Sequence, residues 1–328
     1  LDQSLDSDSI RASAYAAGID AAKAGASFII DHHASPNHIS GALDIIAQAL
    51  EEIGLGHLLC YEITDRGGSE KAKQGLRENT GNLQKRQGLV GLHASFTVGD
   101  ESLQKAADLM KSYGTGAHIH VAEAEYDEQH CRENYGMTVI ERLEKFGLLD
   151  SPKTLIIHGL HLNKKEREIF KNSPAWIVQN TESNLNNKVG FFKSEGLSDR
   201  IMLGTDGMHG DMLRSAQAAF FAGQPFDTID FPEAYRRFRN TDRYLNENNF
   251  SGYGNNNLVV LDYTAGTPLT EENFSGHFIF GLRAAHVRHT ISQGKLVMKN
   301  RRMHAINEKE ILAFSQKQAK KLWRRMSK

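Results

Sequence analysis

The sequence predicts an α/β fold, a TIM-like (β/α)8 barrel that lacks its first strand and carries a partial C-terminal β-sandwich. Three observations predict it. The 328 residues leave room for one large domain and an appendage. Short apolar runs alternate with segments of helical length and period, as in βα units around a parallel sheet. The runs are apolar nearly throughout, which is typical of parallel strands covered by helices.

Seven strand candidates occur in the first 206 residues, at 27–33, 57–64, 88–96, 117–123, 154–161, 175–181 and 200–206. Helical periodicity predicts helices at 10–24, 42–53, 102–113 and 126–146, and then at about 210–222 and 230–245. A closed barrel needs eight strands over roughly 250 residues, so one unit is missing. We place the gap at the N terminus. Because the chain begins with Leu1 and not Met, we expect the native protein to start upstream.

The pattern changes near residue 250. Apolar runs at 258–263, 274–281 and 287–303 predict a small antiparallel unit, and the Gln293-Gly294 pair predicts a hairpin within it. A last helix is predicted from about 307 to 326. We therefore divide the chain into a barrel domain holding strands two to eight (1–250), a partial β-sandwich (251–306) and a C-terminal helix (307–328).

Composition excludes several classes of partner. Lys and Arg number 39 and Asp and Glu 40, which leaves no field to attract nucleic acid or an anionic membrane. No apolar run approaches the roughly 20 residues of a membrane span. Two cysteines, Cys60 and Cys131, do not make a disulfide framework, so we expect a cytoplasmic protein. Because a missing strand exposes two sheet edges, we also expect a homo-oligomer, or another segment of the chain in place of the first strand.

Polar residues stand where nearly every predicted strand ends. In a parallel barrel the active site lies at these carboxyl ends, because the βα loops converge there. His118 and His120 are two residues apart and therefore point to the same side of their strand. Glu123 follows that strand, and Asp206 closes the last one. Imidazole nitrogen and carboxylate oxygen are ligands of zinc and iron, so the pattern predicts metal or proton chemistry at this rim.

Weaker candidates have ordinary structural explanations. His32 and His33 are adjacent and face opposite ways, so at most one of them lines the barrel, and of the two readings we favour loop packing. Arg66 either clamps a substrate or forms an ion pair with Asp65 or Glu62. His209 either belongs to the rim or packs at a helix start. A turn whose side chains cap backbone groups is expected for Asn180, Ser183 and Asn184.

Several stretches resemble the amidohydrolase superfamily, in its deaminase branch, and are most similar to the SsnA-type aminohydrolases. They are DHHASPN (31–37), CYEITDRGG (60–68), GLHASF (91–96), HIHVAEAEYDE (118–128), IIHGLHLN (156–163), QNTESNLNN (179–187) and LGTDGMHGDMLRSAQAA (203–219). The resemblance covers essentially the whole chain. It implies one divalent metal, zinc or iron, bound by an N-terminal His-x-His pair, a fifth-strand histidine and an eighth-strand aspartate.

Residue by residue, the resemblance implies that His120 and Asp206 are metal ligands. It implies that Glu123 is the acid/base that moves protons from water to the substrate nitrogen, that Asp206 takes the proton of the water, and that His158 orients water and substrate. Substrate contacts are expected at His93, Arg66 and Asn184. The family's His-x-His pair lies upstream of Leu1, so two of four ligands are in this chain and we expect no tight metal binding by it. Alternatively, His118 and His120 are themselves that pair.

The function implied is that of a metal-dependent hydrolase, an aminohydrolase acting on a small molecule. It would deaminate an amino-substituted nitrogen heterocycle, purine-like or smaller, through a metal-activated water. One alternative is a chlorohydrolase acting on a related heterocycle. Another is a catalytically incomplete fragment that serves only as a binding or assembly module.

Overall fold

Seven parallel strands form the framework of the protein, whose computed structural model describes residues 1–327. They are β1 (Phe28–His33), β2 (Gly56–Tyr61), β3 (Val90–Ala94), β4 (Ala117–Val121), β5 (Leu155–His158), β6 (Trp176–Gln179) and β7 (Ile201–Leu203). β1 pairs with β2, and β3 to β7 form a sheet in chain order. Isolated parallel bridges, Leu59 to Gly88 and Ile63 to Leu92, link β2 to β3. The predicted α/β class and all seven predicted strands are confirmed.

Twelve α-helices accompany the strands within these residues. They are α1 (Ser7–Lys23), α2 (Ala42–Ile53), α3 (Ser69–Lys85), α4 (Asp100–Tyr113), α5 (Glu125–Tyr135), α6 (Val139–Lys145), α7 (Lys164–Asn172), α8 (Thr181–Asn187), α9 (Met212–Gly223), α10 (Phe231–Glu247), α11 (Glu271–Gly276) and α12 (Glu308–Met326). None of the helices in the part of the chain described combines the length and apolar character that crossing a bilayer requires.

The single helix predicted at 126–146 is wrong, because the segment contains two helices, α5 and α6. Gly136 ends α5 with a φ of 66°, a left-handed conformation that glycine adopts without steric cost. Thr138 then starts α6, and its side chain and that of Glu141 form a reciprocal capping box. The apolar period continues across the break, which explains why periodicity alone missed it.

Apolar side chains fill the amino ends of the strands. Leu155, Trp176 and Met202 point into the interior and are almost completely buried. Tyr244 of α10 closes this end, since its ring lies 5.7 Å from that of Trp176 and its hydroxyl donates to the Lys153 carbonyl at 2.8 Å. The polar residues are left at the opposite, carboxyl ends of the strands.

A four-stranded antiparallel sheet follows the helices. It contains β8 (Leu258–Leu261), β9 (Val287–Ser292), β10 (Lys295–Lys299) and β11 (Arg302–Met303), in the order β11-β10-β9-β8. The predicted hairpin is confirmed, with Gln293 and Gly294 at φ values of 52° and 76°. The three-part domain division stays a prediction.

The strand predicted at 274–281 is wrong, because this segment is helical. α11 runs to Gly276, and a π-helical turn continues over His277–Gly281. Phe274 and Phe278 are four residues apart and both pack edge-on against Tyr235 of α10, with ring centroids 5.3 and 5.1 Å away. The two phenylalanines therefore contact the same ring at helical spacing. In an apolar run this short, sequence alone does not distinguish a helix from a strand.

A buried carboxyl on α5 makes the stability of the protein depend on pH. Neither oxygen of Glu128 has a hydrogen-bond partner among residues 1–327. Burial, followed by the carboxylates of Glu166 and Asp127, raises the pKa of Glu128 well above its usual 4.5. The folded state therefore holds this proton more tightly than the unfolded state. The stabilisation is complete below the usual pKa and is lost as pH rises toward the folded-state pKa.

We therefore predict that Glu128→Gln is more stable than the wild type by about 1 to 3 kcal/mol near pH 8, and that the difference shrinks toward pH 4. Urea unfolding at several pH values measures it. Glu101→Gln is the control, because that side chain is 80% exposed and its replacement should change stability by less than about 0.5 kcal/mol. A Glu128→Gln curve parallel to that of the wild type at all pH values would contradict the prediction.

Candidate active site

The carboxyl ends of three strands bring together four side chains that the sequence singled out. His120 lies on β4, Glu123 follows it, His158 ends β5, and Asp206 follows β7. His158 Nε2 is 3.5 Å from Glu123 Oε2 and 3.9 Å from Asp206 Oδ2. The rings of His120 and His158 are stacked, with centroids 5.6 Å apart. We call these four residues the rim cluster.

The backbone is strained at this cluster. Ala122, His158 and Asp206 have φ values of 46°, 73° and 51°, in the left-handed region that residues with a Cβ rarely adopt. Each such residue costs of order 1 to 3 kcal/mol, and such strain concentrates at functional sites. No sequence pattern marked these positions as strained, so the strain is an independent indication that the rim cluster is functional.

Two side chains of α8 hold the cluster from one side. The Asn184 amide nitrogen lies 2.7 Å from His158 Nδ1, and Ser183 Oγ donates to Asp206 Oδ2 at 2.6 Å. Both side chains are buried. The expected turn that caps backbone groups is therefore wrong, because Thr181–Asn187 is a helix whose first turns face the cluster. His158 Nε2 is buried and has no hydrogen-bond partner within the described chain.

Burial sets the charge of these groups. It lowers the pKa of His158 to about 4, although Glu123 and Asp206 act in the opposite direction, so the ring is neutral at pH 7. Burial alone would raise the pKa of Asp206, but hydrogen bonds from Ser183 and Gly207 and the nearby imidazoles lower it below its usual value. The cluster thus presents a neutral imidazole beside an ionised carboxylate.

One ring nitrogen of His120 makes a hydrogen bond, and this leaves the other ring nitrogen to bind a metal. Nδ1 lies 2.8 Å from the His93 carbonyl, which only accepts, so Nδ1 donates this hydrogen bond and Nε2 is the nitrogen that a metal would bind. Metal-binding histidines commonly donate to a carbonyl in this way. His120 and Asp206 therefore fit zinc or iron by chemistry. Within residues 1–327, however, no group of three or more His, Cys, Asp or Glu side chains is placed to hold a metal ion.

His32 and His118 line the interior beside the rim cluster. His32 belongs to β1 and contacts His118 and His120, with ring centroids 4.8 and 4.9 Å away. His33 faces the other side and lies 2.9 Å from Ser35 Oγ. The expected loop packing of His32 is therefore wrong, since strand alternation places it inward with Ile30. Burial, followed by the neighbouring imidazoles, lowers the pKa of His118 to about 3.

The three predicted substrate contacts have different surroundings. Arg66 forms an ion pair with Glu62 at 2.8 Å, and its side chain is more than half exposed. His93 Nδ1 lies 2.7 Å from Thr97 Oγ1, and Asn184 contacts His158. The substrate roles of Arg66, His93 and Asn184 stay predictions.

The helix-start alternative is confirmed for His209. Its Nε2 lies 2.6 Å from Glu182 Oε2, and its Nδ1 accepts from the backbone N–H of Asp211, where α9 begins.

Cys60 and Cys131 are both free and buried.

Comparison with known proteins identifies the family and agrees with the fold. A model of the Amidohydrolase family matches residues 2–239. A 5-methylthioadenosine/S-adenosylhomocysteine deaminase of Syntrophomonas wolfei is 26% identical over 310 residues, covering 87% of this chain and 72% of the relative. The structure of a zinc-bound adenosine deaminase from Xanthomonas campestris superposes with a TM-score of 0.84 at 16% identity, over 97% of this chain and 76% of the other. A zinc complex of the atrazine chlorohydrolase TrzN from Arthrobacter aurescens gives 0.82 at 17%, over 95% and 77%. The chain belongs to the amidohydrolase family.

Proposed function

We propose that the rim cluster catalyses the hydrolytic deamination of an amino-substituted nitrogen heterocycle. Water replaces the amino group, and ammonia leaves. The observation that carries the proposal is that Glu123 and Asp206 approach the same buried, neutral imidazole nitrogen, His158 Nε2, at 3.5 and 3.9 Å. Two carboxyl groups in different surroundings supply an acid and a base to one reaction.

The surroundings of each residue suggest its role. Asp206 is kept ionised by Ser183 and Gly207 and accepts a proton from the attacking water. Glu123, whose side chain is 31% exposed, can exchange protons with solvent; it donates first to the ring nitrogen and then to the leaving amino group. His158 orients the water and the substrate, with its ring held by Asn184.

His120 and Asp206 would hold a divalent metal, zinc or iron. A bound metal lowers the pKa of a water ligand to about 7, which is the chemistry it would supply here. Catalytic zinc sites usually have three protein ligands. With only these two donors, we expect this chain to bind added metal weakly.

An aminopurine is the substrate class that we favour. The deaminases similar in sequence to this chain are named for derivatives of adenosine, and each of these compounds carries an amino group on a purine ring. The chlorohydrolase similarity is structural and at 17% identity, so it bears on the fold alone. Deamination is therefore the better-supported reaction.

We further propose a cytoplasmic homo-oligomer. Free Cys60 and Cys131 suit a reducing compartment. Within residues 1–327, β1 pairs only with β2 and β7 only with β6, and such edges favour association with another chain. Light scattering tests the oligomer, and a monodisperse monomer would contradict it.

An assay of ammonia and chloride release, with zinc or iron added to the protein, distinguishes a deaminase from a chlorohydrolase. The compounds to compare are adenosine, 5-methylthioadenosine, guanine and a chlorinated triazine. We expect ammonia from at least one aminopurine and no chloride. Chloride without ammonia would favour the chlorohydrolase, and neither product would favour a catalytically incomplete protein.

A further inference from the structure

A buried carboxylate outside the rim cluster joins the loop that carries Glu123 to the loop after β3. Asp127 lies in the first turn of α5 and is 3% exposed. Its Oδ2 accepts the backbone N–H of Ala122 at 2.8 Å, and its Oδ1 accepts that of Phe96 at 3.1 Å. Ala122 directly precedes Glu123, and Phe96 is three residues after His93. One side chain therefore fixes the loop after β4 to the loop after β3.

The same loop is held from its other side by the residues after β5. The Ala122 carbonyl accepts the backbone N–H groups of Leu160 and His161, both at 3.1 Å. Ala122 itself has a φ of 46°, a conformation that a residue with a Cβ keeps only where its surroundings impose it. The bond from Ala122 to Asp127 is one of the contacts that impose it, and the conformation determines where the chain leads into Glu123.

We propose that Asp127 is a positioning residue that sets the place of the Glu123 carboxyl relative to His158. The inference rests on the proposed function, in which Glu123 moves protons. A carboxylate that only stabilised the start of α5 would affect unfolding, whereas a positioning residue affects turnover of bound substrate. Small displacements of a catalytic group, near 1 Å, cost up to about 100-fold in rate.

The test compares Asp127→Asn with Glu166→Gln. The asparagine retains one acceptor oxygen and turns an N–H donor toward the other backbone N–H. Glu166 is a matched control because it is completely buried and also accepts two backbone N–H groups, from Ile140 at 3.2 Å and Asn163 at 3.0 Å. It makes none of the contacts that hold the Ala122 peptide.

We expect Asp127→Asn to lower kcat for aminopurine deamination about 10- to 100-fold, with KM changed less than about threefold. Hydrogen exchange, followed by mass spectrometry, should be faster at residues 122–124. Glu166→Gln should keep kcat and the exchange of residues 122–124. Asp127→Glu, which keeps both acceptors, should recover part of kcat.

The outcomes separate this inference from the proposed function. Asp127→Asn with a normal kcat, beside an inactive Glu123→Gln, would overturn the positioning role alone. An active Glu123→Gln, or a wild type that deaminates no aminopurine, would overturn the proposed function. In that case the exchange comparison still decides whether Asp127 fixes the loop, since unchanged exchange in Asp127→Asn would contradict it.

Discussion

The Glu123→Gln variant should lose about 10²- to 10⁴-fold in kcat, because general acid/base catalysis typically contributes that much. Glutamine has nearly the same shape but neither accepts nor donates the proton that must reach the ring nitrogen. The side chain is 31% exposed, and the hydrogen bond that it accepts from Asn187 is 3.3 Å long. Folding stability should therefore change by less than about 0.5 kcal/mol. Steady-state ammonia release and thermal unfolding measure the two effects.

Glu125→Gln is the matched control for this variant. It changes a carboxylate two residues away, whose side chain is 89% exposed and lies outside the rim cluster. We expect it to keep wild-type kcat. Equal activity of the Glu123 and Glu125 variants would refute the acid/base role of Glu123.

Arg142→Met should destabilise the protein by about 2 to 6 kcal/mol, or about 1 to 3 kcal/mol for each of two buried backbone carbonyls that lose a charged donor. Arg142 is completely buried. Its guanidinium donates to the carbonyls of Ser95 and Val98, both at 2.8 Å, and to Asp100 at 2.7 Å. Methionine matches much of its volume but leaves both carbonyls without this donor. Urea unfolding at neutral pH measures the loss.

Arg77→Met tests whether the loss of stability in Arg142→Met depends on the burial of the arginine. Arg77 pairs with Glu70 on the surface of α3, and both side chains are more than 60% exposed, so its loss should cost less than about 1 kcal/mol. Arg142→Lys should recover only part of the stability, because an ammonium group does not reproduce the fork of the guanidinium. Similar losses for the Arg77 and Arg142 variants would contradict this account.

The strands and the rim cluster were predictable because both follow from short-range pattern. Apolar runs predicted all seven parallel strands. The polar residues at the ends of these strands include the members of the rim cluster, His120, Glu123, His158 and Asp206. Strand alternation could also have placed His32, since it alternates with the inward Ile30. The helical segment around Phe274 and Phe278 was missed because a short apolar run fits either period.

Contacts between distant segments were not predictable from such patterns. Asn184 reaches His158 across 26 residues, and it does so because residues 181–187 form a helix and not a turn. Asp127 accepts the backbone N–H of Ala122, whose left-handed conformation no sequence pattern marks. Sequence shows which residue types are present at these positions, whereas tertiary structure decides which side chains they contact.

Deamination in isotope-labelled water tests most directly whether the rim cluster performs one hydrolytic reaction. The protein, with zinc or iron added, is mixed with the aminopurine that it turns over, and product and ammonia are quantified together by mass spectrometry. We predict one solvent oxygen in each product molecule, one ammonia released with it, and formation of both at least about 100-fold more slowly by Glu123→Gln. Product without solvent oxygen, or labelled product formed equally well by Glu123→Gln, would contradict it.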